Sequence, residues 1–81
     1  MADAAVREGI SRDKAYKLAA QSVLGSAKMV LETGEHPAKL KDNVCSPGGT
    51  TIEAVLELEE TGFRSSVMSA MKKCSKKSKK M

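Results

Sequence analysis

The chain has 81 residues, of which 41% are hydrophobic and 30% are charged, and only Tyr16 and Phe63 are aromatic. A chain of this length forms at most one small domain, and its core is thin because aliphatic side chains bury less area than aromatic ones. We therefore expect the fold to depend on a partner subunit or a further domain.

The net charge of +4 is unevenly distributed along the chain. Residues 72–81 carry six Lys and no acid, so residues 1–71 hold the other eight Lys or Arg against all ten Asp or Glu. A nucleic-acid-binding domain combines a basic patch with base-reading or stacking groups, and this tail has no aromatic residue. We interpret the tail as a solvated, frayed helix end and predict no nucleic-acid partner. Binding of polyanions by the tail is the alternative.

Several other classes of protein are excluded by the pattern of residues. No apolar run approaches the ~18–20 residues that span a bilayer, and the N-terminus lacks the regions of a signal peptide. Cys45 and Cys74 are 29 positions apart and His36 is the single histidine, which leaves no recognisable zinc spacing. We predict a cytoplasmic protein with two free thiols, no metal and no membrane contact.

The first two predicted helices meet at a short turn. The chain opens with the last turns of a helix that ends at Gly9, since glycine is favoured just beyond a helix end. The second helix begins with Ser11 or Asp13 as its N-cap and runs to about Glu32, stopping before Gly34.

The second helix has an uneven distribution of side chains. At 100° per residue its polar side chains form one narrow stripe, and the rest of its surface is apolar or small. The polar stripe comprises Lys14, Lys17, Gln21, Lys28 and Glu32. A surface helix in a monomer usually shows a single apolar stripe, so we predict that this helix is enclosed by oligomerisation. The alternative is a central helix wrapped by its own neighbours.

Three more helices complete the predicted fold. Pro37 opens a short third helix, a fourth runs from about Thr51 to Glu60, and a fifth begins near Phe63 and frays into the tail. No segment alternates apolar and polar residues with a period of two, so no strand is predicted. The predicted class is all-α, with a small multi-helix domain over residues 1–71 followed by the tail.

The segment between the third and fourth helices is Ser46-Pro47-Gly48-Gly49-Thr50-Thr51, called here the SPGGTT loop. Its glycines permit close backbone approach, and Thr50 with Glu53 fits a capping box. A helix start offers unpaired N–H groups and the positive end of the helix dipole, which attract anions. No Lys or Arg accompanies this helix start, so it suits a carboxylate better than a polyphosphate. The alternative is an ordinary tight turn and a capped helix.

Three blocks of the sequence resemble one enzyme family. The segment His36-Pro37-Ala38-Lys39-Leu40-Lys41-Asp42-Asn43-Val44-Cys45, the SPGGTT loop and the following residues to Glu59 closely resemble the signature of pyrroline-5-carboxylate reductases. Residues 19–29 upstream and 62–64 downstream resemble the same family in the same order. The resemblance covers nearly the whole chain to about residue 74.

The resemblance implies both a fold and an activity. These enzymes reduce 1-pyrroline-5-carboxylate to L-proline with NADPH or NADH, the last step of proline biosynthesis. Their N-terminal Rossmann domain binds the nucleotide, and their C-terminal helical domains interlock into an intertwined dimer that often assembles further. This implies a homodimer or higher homo-oligomer here, with a small carboxylate ligand, pyrroline-5-carboxylate or proline, at the dimer interface.

The resemblance also implies roles for individual residues. Substrate binding carries over to Ser46, Gly48, Gly49, Thr50 and Thr51. The Thr51 hydroxyl is the expected catalytic group, bonding the imine nitrogen, and Asn43 is expected to approach the nicotinamide cofactor. We interpret Glu35 as a surface acid, His36 as a residue preceding a proline-started helix, and Cys45 as a packing residue.

The chain departs from the family in one respect. No strand followed by Gly-x-Gly-x-x-Gly and a helix occurs in it. We therefore interpret the chain as the C-terminal part of such a reductase, cut inside the first long helix of its helical domain. We expect this fragment alone to be inactive and to bind no nicotinamide cofactor. The alternative is a freestanding helical module for oligomerisation without a catalytic role.

Overall fold

The computed structural model describes residues 1–80, and within them every regular element is a helix. The five helices are α1 (Ala2–Arg7), α2 (Arg12–Thr33), α3 (Pro37–Asn43), α4 (Thr50–Glu60) and α5 (Phe63–Lys80). This confirms the predicted all-α class. The chain divides into two compact units, residues 1–40 and residues 41 onward.

In the first unit, α1 ends in a glycine-dependent hydrogen-bond motif. The N–H of Gly9 donates to the carbonyl of Val6 at 3.0 Å, and the N–H of Ile10 donates to the carbonyl of Ala5 at 3.1 Å. This is the Schellman pattern, which places the residue after the cap in the left-handed region. Gly9 has φ of +106°, so the predicted helix end is confirmed.

The helix α1 packs against the beginning of α2. Ala15 is the one fully buried hydrophobic residue among residues 1–80, and Val6 and Ala19 are half-buried. Arg12 forms an ion pair with Asp3 and lies 5.7 Å from the centre of the Tyr16 ring. Small residues at this contact allow close backbone approach, whereas they leave little apolar area buried.

The helix α2 begins after Ser11, one of the two predicted N-caps, and ends at Thr33 with Gly34 as its C-cap, one residue beyond the predicted end. Most of its large side chains are exposed in the single chain: Tyr16 is 60% exposed, Leu24 59% and Leu31 84%. Contiguous exposed apolar surface of this kind marks an interaction site. The large apolar face predicted for α2 is therefore present and is not covered by residues 1–40.

In the second unit, α4 is followed by α5 after a two-residue turn. Ile52 and Val55 of α4 are half-buried, and the guanidinium of Arg64 bonds the Glu59 carboxylate at 2.7 Å across the turn. On α5, Phe63 is 53% exposed and Met71 is 68% exposed.

The extent of α5 differs from the sequence-based expectation. We expected the chain to fray from Lys72, and α5 instead continues to Lys80. Lysine is a good helix former, and cations near a helix C-terminus interact favourably with the helix dipole. The division into a domain over residues 1–71 and a separate tail stays a prediction.

None of the helices in the described part of the chain has the length and apolar character needed to cross a bilayer.

Candidate functional site

The SPGGTT loop begins with a tight turn. The N–H of Gly49 donates to the carbonyl of Ser46 at 3.0 Å, which closes a four-residue turn with Pro47 and Gly48 in its centre. Proline fixes φ near −65° at the first central position, and Gly48 has φ of +68°. This combination defines a type II turn, in which the second central position favours glycine because its φ is positive.

Gly49 is held close to Ser46. A Cβ atom built on Gly49 would overlap Ser46 Oγ and would lie 3.2 Å from the Ser46 carbonyl oxygen. Any larger residue at this position therefore forces the serine hydroxyl to move and crowds the carbonyl of the turn. The two glycines have separate roles, since Gly48 supplies a backbone angle and Gly49 supplies space.

The start of α4 corrects one prediction. We expected a capping box between Thr50 and Glu53, and the helix instead begins at Thr50 with Gly49 as its N-cap. No side chain within residues 1–80 caps this helix. The reason is that Gly49 has φ of −80° and ψ of 175°, the extended conformation of a cap residue, which moves Thr50 into the first turn. The first N–H groups of α4 are therefore left for a ligand or for water.

The predicted site residues lie in sequence around this helix start. Ser46, Gly48 and Thr50 are exposed, whereas Gly49 and Thr51 are half-buried. Hydrogen bonding links Ser46 to Gly49 directly. The structure shows no hydrogen bond that ties the Thr51 hydroxyl to another described group, so its proton and its lone pairs are available to a ligand.

Asn43, the predicted cofactor-facing residue, is the last residue of α3 and is exposed. It lies three residues before Ser46. Directly after Asn43 the chain turns: the N–H of Val44 donates to the carbonyl of Lys41 at 3.2 Å, and the N–H of Cys45 donates to the carbonyl of Asp42 at 3.1 Å. These bonds place α3 immediately before the loop. No hydrogen bond in the described chain joins the Asn43 amide to the loop.

The electrostatics of the loop come from its backbone. Residues 43–52 contain no charged side chain. The nearest charges along the chain are Asp42, which pairs with Lys41 at 3.3 Å, and Glu53 in the first turn of α4. Backbone N–H groups and a helix dipole supply about half an elementary charge, which matches one carboxylate better than a polyphosphate.

His36 has a structural role that the sequence reasoning missed. Its Nδ1 accepts a hydrogen bond from the N–H of Ala38 at 3.0 Å, so it caps the short helix α3 from the residue before Pro37. The sequence contained a signal for this cap, because a polar side chain directly before a helix-opening proline occupies the N-cap position. Glu35 pairs with Lys39 at 3.5 Å, as expected of a surface acid.

Other candidate chemistry is weaker in the described residues. Cys45 is half-buried and Cys74 is exposed, and both are free thiols. No group of three or more His, Cys, Asp or Glu side chains within residues 1–80 is placed to hold a metal ion. Two surface depressions lie along α5, one of them lined by Lys73, Lys76, Lys77 and Lys80. Each is bounded by a single helix, and neither involves the SPGGTT loop.

Comparison with known proteins assigns the family. The family model described as "Pyrroline-5-carboxylate reductase dimerisation" matches residues 1–81. The chain belongs to the pyrroline-5-carboxylate reductase dimerisation family. The resemblance that the sequence suggested is thereby confirmed over the whole chain.

Relatives within this family are similar throughout their shared length. A pyrroline-5-carboxylate reductase from Escherichia coli K12 is 70% identical over 81 residues, which are all of this chain and 30% of that protein. The structure of a reductase from Streptococcus pyogenes matches with a TM-score of 0.94 and 40% identity, over 99% of this chain and 31% of that one. A Plasmodium falciparum reductase with NADP bound matches with a TM-score of 0.90 and 38% identity, over 95% and 29%. The chain thus spans about 30% of the length of these relatives.

Proposed function

We propose that this chain is the dimerisation and substrate-binding part of an oxidoreductase that reduces 1-pyrroline-5-carboxylate to L-proline with NADPH or NADH. The observation that carries the proposal is the uncapped start of α4, which follows a glycine-dependent turn in a member of this family. A small carboxylate is the kind of anion that an uncharged helix start binds.

Several residues of the chain contribute separate contacts to the proposed binding of the substrate. The carboxylate lies against the first N–H groups of α4, with the hydroxyls of Ser46 and Thr50 as further donors and Gly48 and Gly49 keeping the approach open. The Thr51 hydroxyl donates to the ring nitrogen, which orients the imine and polarises its C=N bond. Such positioning lowers the barrier without a charged catalytic group.

The nicotinamide cofactor supplies the hydride when it is bound. Asn43 is the residue of this chain proposed to contact it, and an exposed amide that can donate and accept suits the carboxamide of a nicotinamide. Residues 1–80 hold no glycine-rich dinucleotide turn, so the chain offers only one edge of a cofactor site. We expect no oxidation of NADPH by the isolated chain, and turnover by it in a coupled assay would overturn this part of the proposal.

The partner is a second copy of the chain. Leu24 and Leu31 of α2 and Met71 of α5 expose apolar surface that the described chain leaves uncovered, and the family is named for dimerisation. We further propose a reducing, cytoplasmic location, supported by the free thiols of Cys45 and Cys74.

The substrate-site proposal is tested by titration with L-proline followed by amide NMR. We expect saturable shifts at millimolar proline in the amides of Gly48, Gly49, Thr50 and Thr51. The matched control is L-prolinamide, which has the same ring and no carboxylate and is expected to leave these amides in place. Equal shifts with both compounds, or none with proline, would overturn the carboxylate site.

A second candidate function is a freestanding oligomerisation module without a catalytic role, favoured by the extent of exposed apolar surface. It predicts that Thr51→Val leaves the host's growth without proline unchanged. Loss of that growth, with self-association intact, would exclude it.

A further inference from the structure

The end of α5 carries a continuous basic face. At 100° per residue, six lysines fall within an arc of about 160°, while Cys74, Ser75 and Ser78 occupy the opposite side. This basic face comprises Lys72, Lys73, Lys76, Lys77, Lys79 and Lys80, all of which are exposed. None of them forms an ion pair in the described chain, where the five ion pairs involve other residues. Six clustered like charges repel one another unless an anionic partner lies on them.

The helix α4 carries the complementary charge. It contains four glutamates and no Lys or Arg. Glu53, Glu57 and Glu60 fall within about 60° of one another on its surface and form an exposed acidic stripe. Glu59 pairs with Arg64, whereas the three residues of the acidic stripe have no ion-pair partner within residues 1–80.

Most of the basic face, from Lys76 onward, extends past the acidic stripe within one chain. The 11 residues of α4 span about 16 Å, and Lys76 lies about 20 Å along α5 from Phe63, where the helix leaves the turn. Even with α5 folded alongside α4, Lys76 and the lysines after it would project beyond the start of α4. They would be farthest from Glu57 and Glu60, which lie next to the turn.

We propose that the basic face of one copy docks on the acidic stripe of α4 in a second copy of this chain. The two surfaces have similar lengths of about 10–12 Å. Their signs are opposite. Because each copy has one of each, a two-fold axis creates two identical contacts. The proposal rests on the dimerisation proposed above and adds to it an ionic contact that is separate from the apolar faces and sets how the copies align.

The test is a charge swap measured by analytical ultracentrifugation of the full chain in 50 mM and 500 mM NaCl. One variant cancels the net charge of the basic face with Lys73→Glu, Lys76→Glu and Lys80→Glu, which leaves three lysines and three glutamates on it. The other reverses the acidic stripe with Glu53→Lys, Glu57→Lys and Glu60→Lys. We expect each variant alone to self-associate about tenfold more weakly than the wild type at low salt, with little difference at high salt. An equimolar mixture should recover part of the lost affinity, because in a mixed dimer the unaltered basic face of the second variant meets the unaltered acidic stripe of the first.

The control keeps the same change in net charge on another surface. Lys14→Glu, Lys17→Glu and Lys28→Glu alter the polar stripe of α2 and should leave the salt dependence of association as in the wild type. Helix content by circular dichroism, together with rescue in the mixture, separates loss of contact from loss of folding.

Each remaining outcome overturns a defined statement. Wild-type affinity in both swapped variants, or failure of the mixture to recover, overturns the contact and leaves the apolar dimer intact. If the neutralised basic face instead abolishes binding to polyuridylate or to phosphatidylserine vesicles while self-association is unchanged, the occupant is another polyanion and the proposal is overturned. A wild-type chain that is monomeric at every concentration and salt level overturns the proposed dimer itself.

Discussion

At the scale of single residues, the conformation of the SPGGTT loop depends on the absence of a side chain at Gly49. Gly49 has no Cβ, so Ser46 folds over it and the turn closes at 3.0 Å between the Gly49 nitrogen and the Ser46 oxygen. The same glycine is the N-cap of α4 and contributes no side chain to it, which leaves the first N–H groups uncapped. One residue therefore both closes the turn and keeps the helix start open to a ligand.

We predict that Gly49→Ala weakens L-proline binding at least about tenfold. The added methyl overlaps Ser46 Oγ and crowds the Ser46 carbonyl, which shifts the turn and the N–H groups that follow it. The measurement is the proline titration by amide NMR, with the helix content checked by circular dichroism.

The matched control for Gly49→Ala is the double change Ser46→Ala with Gly49→Ala. It removes the oxygen that the methyl overlaps and leaves the close contact with the carbonyl oxygen at 3.2 Å. We therefore expect the amide chemical shifts of the ligand-free loop to return part of the way to their wild-type values. Normal proline affinity in the single variant would contradict the space-filling role given to Gly49.

At the scale of elements, the short helix α3 before the SPGGTT loop is stabilised by local contacts. The helix α3 has only seven residues, too few to be stable by itself. Two contacts at its start support it, the cap from His36 and the ion pair between Glu35 and Lys39. Since α3 ends three residues before Ser46, fraying of α3 would loosen the loop that follows it.

We predict that His36→Ala destabilises the protein by about 0.5–1 kcal/mol, because the Ala38 N–H loses its acceptor. His36→Asn is the matched variant, since its side-chain oxygen caps a helix from the same position and should restore most of the loss. Urea denaturation measures both. A His36→Ala midpoint equal to the wild type would show that the cap contributes nothing to stability.

The helix boundaries could be predicted where a single residue strongly favours the start or the end of a helix. Gly34 ends α2 and Pro37 opens α3, because each residue has a narrow set of backbone uses, whereas Ser11 and Asp13 both fitted the N-cap of α2 and the structure selects Ser11. The start of α4 was missed by one residue because both Gly49 and Thr50 fit an N-cap, and the turn closed by Ser46 decides between them. Sequence patterns do not include that three-dimensional contact.

The end of α5 was missed for a different reason. A run of lysines indicates solvent exposure equally for a coil and for a helix, and no glycine or proline follows Gly62 to stop the helix. The chemistry of the SPGGTT loop had the same limitation. The residues left an anion site and an ordinary tight turn open and favoured a carboxylate over a polyphosphate, and only the family resemblance suggested a particular carboxylate.

At the scale of the whole molecule, the dominant feature is the large number of exposed apolar side chains. Among residues 1–80 only Ala15 is fully buried, while fifteen large hydrophobic side chains are exposed. A chain of 81 residues buries a smaller share of its surface than a larger domain does, and most large side chains of its longest helix are exposed. Folding and self-association are therefore expected to be coupled, so that stability depends on chain concentration.

We predict that Leu24→Asp converts the proposed dimer into a monomer with reduced helix content. Leu24 lies on the apolar face of α2 and is 59% exposed in one chain, so a carboxylate there would be desolvated against a second copy. The matched variant is Gln21→Asp, which introduces the same carboxylate on the polar stripe of the same helix and should leave the dimer intact.

Thermal unfolding at several chain concentrations distinguishes the two variants. The wild type and Gln21→Asp should show an unfolding midpoint that rises with concentration, whereas the midpoint of Leu24→Asp should be low and independent of concentration. A wild-type midpoint that does not move over a hundredfold range of concentration would contradict the coupling, and an unchanged dimer in Leu24→Asp would place the interface elsewhere than on α2.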